Sequence, residues 1–119
     1  MKPLAALLLP LLFLSLALSG CLDEDTSSGG TYTFTTLSGE TRALSDYHSR
    51  IVVLDMMATW CQPCQYQMLE LRRVRQNYSE SDVVILSIDI DTRETAQQLQ
   101  QFKQQFTSYG YDLDWTFGM

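Results

Sequence analysis

Histidine is almost absent from this chain and cysteine is scarce: the 119 residues hold one histidine, His48, and three cysteines, Cys21, Cys61 and Cys64. A zinc site takes about four nitrogen or sulfur ligands, so a metal centre would have to be shared between two chains, and none is expected. Covalent haem attachment needs histidine directly after the second cysteine of a C-x-x-C pair. The residue there is Gln65, which excludes it. Basic residues are also few, 8 Lys and Arg against 14 Asp and Glu, for a net charge of -6. That is the wrong sign for neutralising phosphates, so nucleic acid is not expected as a partner. The only basic cluster, Arg72, Arg73 and Arg75, reads as a solvated helix face. There is no internal repeat. No uninterrupted apolar run reaches the ~20 residues that a membrane-spanning helix requires.

The N-terminus supplies what the composition does not. Lys2 precedes an apolar run from Leu4 to Leu18, broken by Pro10 and followed by the small residues Ser19 and Gly20. A charged start, a short apolar segment and a small-residue end make an export signal. Its removal takes Lys2 with it and leaves 7 basic and 14 acidic residues, a net charge of -7. The "LSGC" at Leu18 to Cys21 resembles the lipobox of prokaryotic lipoproteins, which implies that Cys21 is lipidated and becomes the first mature residue. Two buried acyl chains hold a protein at a membrane where one gives marginal binding. Simple secretion with a free Cys21 is the alternative, but it leaves one unpaired thiol among three. Residues 1–20 are therefore expected to be a lipoprotein signal peptide. Residues 21–30, with "LDEDTSSGG", have little to bury and are expected to form a flexible tether. Residues 31–119 are left for a single domain.

Within that domain "TYTFTT", Thr31 to Thr36, has the β-branched and aromatic content of a strand, with Ser38 and Gly39 turning the chain after it. The segment "ALSDYHSR" is ambiguous. "IVVLDMM", Ile51 to Met57, is a near-continuous apolar run and predicts a central strand covered on both faces. A helix is expected from near Cys61 to about Tyr78, with Pro63 tolerated in its first turn and Cys64, Met68, Leu71 and Tyr78 on one face. "DVVILSIDI", Asp82 to Ile90, predicts a second buried strand. "DTRE" matches a capping box, Asp91 with Glu94, ahead of a helix whose apolar face is Leu99, Phe102 and Phe106 and which Gly110 ends. "LDWTF", Leu113 to Phe117, begins to alternate like a further strand. Strand, helix, strand, helix with crossovers of this length implies an α/β domain with a parallel sheet and right-handed connections.

The C-x-x-C pair falls where the first long strand gives way to its helix. Redox couple, half of a metal site and structural disulfide all fit the spacing, and ligand number removes the second. A bridge closing so few residues restrains little unfolded-chain entropy, which disfavours the third. At a helix N-terminus Cys61 faces unpaired N–H groups and the positive end of the dipole, which favour thiolate over thiol. Its pKa is expected below the ~8.5 of a free thiol, making it the nucleophile. Cys64, one turn inside, is placed to attack a mixed disulfide and release the partner.

"LSDYHSRIVVLDMMATWCQPC" resembles thioredoxin-like proteins, in particular the membrane-anchored TlpA/ResA-type thiol-disulfide oxidoreductases. The likeness runs from about Thr31 to Phe117, and "ATWCQPC" is its most specific part. It implies a partly parallel central sheet flanked by helices. Cys61 matches the attacking cysteine, Cys64 the resolving one, Trp60 the aromatic flank and Pro63 the residue that tunes the pair. Asp55, six residues before Cys61, matches the acid placed beneath the active site as proton acceptor. His48 receives no role, and Met56, Met57 and Trp115 are expected in the core. The resemblance implies protein disulfides as substrates, as in cytochrome c maturation, a membrane-embedded electron donor, no organic cofactor, and a place on the extracytoplasmic face of the membrane. The pattern departs in four respects. Pro3, Pro10 and Pro63 are the only prolines, so none can be the later cis-proline that faces the dithiol. The C-terminal hairpin and last helix of the fold are expected to be missing. Gln67 replaces an acid, and Leu69 a helix-kinking proline. With the hairpin gone, Ile51 to Met57 is expected to be an apolar edge unless Leu113 to Phe117 covers it. The competing expectation is a membrane-tethered binding or assembly subunit completed by a partner chain.

Overall fold

A computed structural model of the chain describes residues 32–119, so the export signal, Cys21 and the tether lie outside the described residues. The first strand, β1 (Thr33–Thr35), pairs antiparallel with β2 (Thr41–Ala43), Thr33 facing Ala43 and Thr35 facing Thr41. Thr36, Ser38 and Gly39 make the turn, with the Gly39 N–H donating to the Thr36 carbonyl at 2.9 Å. The ambiguous segment after β2 is a 3-10 turn, Leu44–Tyr47, that buries Tyr47.

The main sheet contains β3 (Ile51–Met57), β4 (Val83–Asp89) and β5 (Thr116–Gly118), in the order β3-β4-β5 and parallel throughout. Every residue of β4 is buried. Burying each aliphatic side chain contributes about 1.5–3 kcal/mol, so this strand anchors the domain. The expectation that Ile51–Met57 is the central strand is corrected. Among the described residues β3 pairs only with β4, and Ile51 and Met56 are 67% and 52% exposed. Its apolar run has the composition of a covered strand, but which strand lies beside it is a tertiary property. The C-terminal segment pairs on the far side of β4, so the edge is left uncovered by it.

Helix α1 (Gln62–Asn77) and helix α2 (Ala96–Ser108) both pack on one face of the sheet. Met68 and Leu71 of α1 meet Leu99 and Phe102 of α2 over Met57, Ile85, Leu113, Trp115 and Phe117. Tyr78 does not join them: it is the residue after the last helical turn and is 57% exposed. On the other face Phe34, Leu44 and Tyr47 cover Val84, Leu86 and Ile88.

The boundary of α2 differs from the reading of "DTRE". Thr95 caps the helix, its hydroxyl accepting from the Gln98 N–H at 3.3 Å while Gln98 Oε1 accepts from the Thr95 N–H at 2.9 Å. That box sits next to the apolar stripe, and it leaves Asp91 and Glu94 free for other partners. Gly110, at φ +81°, follows Tyr109, the C-cap of α2, in a left-handed position that favours glycine.

The β1–β2 ribbon joins the main sheet along β5. Thr35 and Met119 exchange two backbone hydrogen bonds at 2.9 Å, and Thr36 bridges Gly118. A methyl group on Gly118 would stand 2.7 Å from Phe34 Cδ2 and 2.8 Å from the Thr35 carbonyl oxygen. The second contact is with backbone, which cannot swing away. Gly118→Ala is therefore expected to destabilise the domain by about 1–3 kcal/mol through overpacking. A lowered urea midpoint with an unchanged slope is the result to look for.

Candidate redox site

Parallel pairing puts the C-terminal ends of β3 and β4 side by side, and both chains turn there. After β3, the Cys61 N–H donates to the Ala58 carbonyl at 3.1 Å. Cys61 is then the N-cap of α1, with extended backbone, and Pro63 lies in the first turn, where its missing N–H has no partner to lose. Cys61 and Cys64 are joined as a disulfide with their Cα atoms 5.2 Å apart, a normal span for such a bridge. The Cys64 N–H points at Cys61 Sγ from 3.3 Å. That sulfur therefore already sits against an unpaired donor of the helix end, where an anion is favoured. Both cysteines are half-buried, and Cys64 also touches the helix-side core.

A groove of about 390 Å³ runs beside the disulfide, walled by Met56, Ala58, Trp60, Ile90 and Arg93. Met56 belongs to this wall rather than to the core, while Met57 and Trp115 are buried as expected. A larger recess, about 520 Å³, lies around Glu40, Arg42 and Lys103 and contains neither cysteine.

The turn after β4 carries the acids. Trp60, itself 67% exposed, is held by its indole N–H donating to Asp91 at 2.8 Å. Arg93 donates to the same carboxylate at 2.7 and 2.9 Å. Arg93 first and then Trp60 hold the Asp91 carboxyl well below the usual carboxylate range. The Thr59 N–H donates to Glu94 at 2.8 Å, and the Thr59 hydroxyl donates to the other Glu94 oxygen. Burial alone would raise the Glu94 pKa; the two Thr59 donors and neighbouring Asp89 bring it below its ordinary value. From the helix side, Gln65 Nε2 donates to the Thr59 carbonyl at 3.0 Å. Asp89, at the end of β4, is only 4% exposed. Burial first, with the neighbouring Glu94 adding to it and the Asp91 N–H opposing it, pushes its carboxyl up to about 6.

Asp55 lies on β3 on the same face as Met57, in register with Ser87 of β4. The buried Ser87 hydroxyl donates to Asp55 at 2.8 Å and accepts from the Trp115 indole N–H at 2.9 Å. Burial raises the Asp55 pKa, against the opposing effect of the Ser87 hydrogen bond. The geometry thus brings Trp60, Cys61, Pro63 and Cys64 to one turn, and Asp55 to the strand that leads into it. Thr59, Gln65, Asp89, Asp91 and Glu94 complete the surroundings, and the sequence pattern assigned none of them a role in the site. The signal for the three acids was the run "DIDTRE" at the end of a buried strand, where parallel sheets gather their functional loops.

These features define a thioredoxin-like α/β domain with a C-x-x-C disulfide at a helix N-terminus. The AhpC/TSA family model matches residues 30–117, and the chain belongs to that family. Among individual relatives, it is 29% identical to the thiol-disulfide oxidoreductase ResA of Geobacillus kaustophilus over 67% of this chain and 45% of that protein. A secreted disulfide oxidoreductase of Mycobacterium tuberculosis superposes with a TM-score of 0.57 at 25% identity, over 74% of this chain and 59% of that one. The thioredoxin domain of a Bacteroides vulgatus thiol-disulfide oxidoreductase superposes at 0.61, with 19% identity over 74% and 58%. The chain spans about half the length of the curated relatives it matches.

Proposed function

We propose that the protein is a thiol-disulfide oxidoreductase of the TlpA/ResA type acting on protein disulfides through Cys61 and Cys64. The carrying observation is a disulfide whose Cys61 sulfur faces a helix N-terminus beside an open apolar groove. In the reduced form the Cys61 thiolate attacks a substrate disulfide, forming a mixed disulfide and expelling one substrate thiolate, which takes up a proton. Cys64 then loses its proton to Asp55 and attacks Cys61 Sγ. The second substrate thiolate leaves, and the Cys61–Cys64 disulfide holds the two oxidising equivalents. A membrane-embedded dithiol donor returns the pair to the reduced state. No organic cofactor enters these steps. Trp60 walls the groove, and Pro63 tunes the pair from the first turn of the helix. Lipidation of Cys21 would anchor the domain on the extracytoplasmic face of the membrane, a reading supported by the lipobox and by a secreted relative.

Reduction of insulin disulfides by the dithiol form tests the reading directly; a protein that takes up no disulfide from insulin opposes it. Asp55→Asn tests the base. Because burial raises the Asp55 pKa, its basic form accumulates only above the ordinary carboxylate range. The resolution rate should therefore rise with pH through that pKa in the parent. The variant should lose this limb and resolve mixed disulfides on the order of 10- to 100-fold more slowly. Stopped-flow release of a chromogenic thiol reports the step.

The uncovered edge of β3 supports a second reading, a membrane-tethered assembly subunit whose partner adds strands beside Ile51 and Met56. Size-exclusion of the native membrane extract separates the two. A monomer that reduces insulin opposes the second.

A further inference from the structure

We propose that Asp89 and Glu94 share one proton and act as a positioning pair for the turn that carries Cys61, so that dithiol reactivity follows the state of this pair as well as that of the thiol. The proposal rests on the oxidoreductase reading for its consequence, but not for its geometry.

Asp89 is buried, and its two oxygens are treated unequally. Oδ1 accepts from the Asp91 N–H at 2.9 Å, whereas Oδ2 is buried with no donor. A desolvated carboxylate oxygen without a donor is costly, and a proton turns it into a donor. Glu94, on the same turn, is the neighbouring carboxylate that would accept it: the two groups perturb each other directly, Asp89 upward and Glu94 downward. Glu94 in turn receives both the N–H and the hydroxyl of Thr59, whose carbonyl is held by Gln65. The chain of contacts thus runs from the end of β4 to a residue two positions before Cys61.

The charged neighbours do not replace that proton. Asp91 and Arg93, on the same turn, are paired with each other. The β3 residue in register with Asp89 is Met57, and Asp55 is engaged with Ser87. On α1 the nearby titratable groups are the two thiols, once reduced. The first turn of α2 presents neutral Gln98, bonded to Thr95. When the pair loses its proton to solvent, two adjacent carboxylates in a desolvated turn repel each other. Glu94 then withdraws from Thr59, and the turn that aims the Cys61 sulfur at the helix end loosens.

The full chain, labelled for NMR and kept in the disulfide form, is titrated from pH 4 to 8. Expected is a joint movement of the Asp89 carboxyl carbon and the Thr59 amide, with a midpoint at about 6. In Asp89→Asn the side-chain amide donates to Glu94 at every pH, and the Thr59 amide should stay near its low-pH position. A Thr59 amide that is flat in the parent, or that moves at a different pH from Asp89, overturns the pair. In the reduced protein, the alkylation rate of Cys61 against pH should show two inflections. Asp89→Asn and Glu94→Gln should show one. Glu94→Ala should be slower than the parent by about three- to tenfold at low pH, up to one unit of thiol pKa, and by less at high pH. If that variant fails to fold, the two conservative ones decide. Two inflections persisting in Asp89→Asn overturn the proposal. A Cys61 that reacts as an ordinary thiol in every variant overturns the oxidoreductase reading and the consequence drawn here, and the Thr59 and Asp89 titration keeps the two failures apart.

Discussion

Cys61→Ser is expected to lower reduction of insulin disulfides by on the order of 10³-fold or more, because a hydroxyl at that position is not ionised near neutral pH and cannot replace the thiolate. Cys64→Ser should behave differently. It leaves the attacking sulfur in place against the helix end and removes the group that would release the substrate, so the mixed disulfide should accumulate as a covalent adduct. The asymmetry follows from position. Cys61 is the cap residue and its sulfur receives the Cys64 N–H, whereas Cys64 lies inside the first turn and leans on the core. Mass spectrometry of each variant mixed with an oxidised protein reads the result. An adduct forming on Cys64 in the Cys61→Ser protein, at the rate seen for Cys61, would reverse the assignment of roles.

Leu99→Ala is the other large effect, a loss of about 2–5 kcal/mol. Leu99 is fully buried where α2 meets α1 and the sheet, and neither helix can close the resulting cavity without leaving β4. For a domain of this size each kcal/mol lowers the melting temperature by about 4–8 °C, so a drop of ten degrees or more is expected. Tyr78→Ala is the control. Helical spacing put Tyr78 on the buried face with Met68 and Leu71, yet it ends the helix in solvent, and its removal should change stability by no more than about 0.5 kcal/mol. Thermal unfolding of both variants in the disulfide form makes the comparison.

Most of the elements were legible because their signals are local. Period-3.6 apolar spacing located both helices, the proline and the cap position located the start of α1, and an unbroken apolar run located β4. The errors share a cause. "DTRE" satisfied a capping pattern, but Thr95 and Gln98 satisfied it four residues nearer the buried stripe, and the choice between them depends on where α2 must pack. The displaced acids then became the partners of Thr59 and Trp60, contacts separated by more than thirty residues that no spacing rule can anticipate. β2 was missed because three residues, Thr41–Ala43, none of them buried, carry almost no pattern of their own.

By itself the chain's order of residues determined the redox chemistry on offer: two sulfurs one helical turn apart, one of them at a helix start, with too few other ligands for a metal. It also determined the alternation of strand and helix, since both depend on neighbours within a few positions. Only the tertiary structure decided that β3 stands at the edge of the described sheet while β4 fills its centre. It also decided that Asp55 meets Ser87 and that Glu94, from the turn after β4, holds Thr59 beside the turn that carries Cys61. Those outcomes depend on which strands lie side by side, and strand adjacency is settled by the burial of whole faces rather than by any single stretch of sequence.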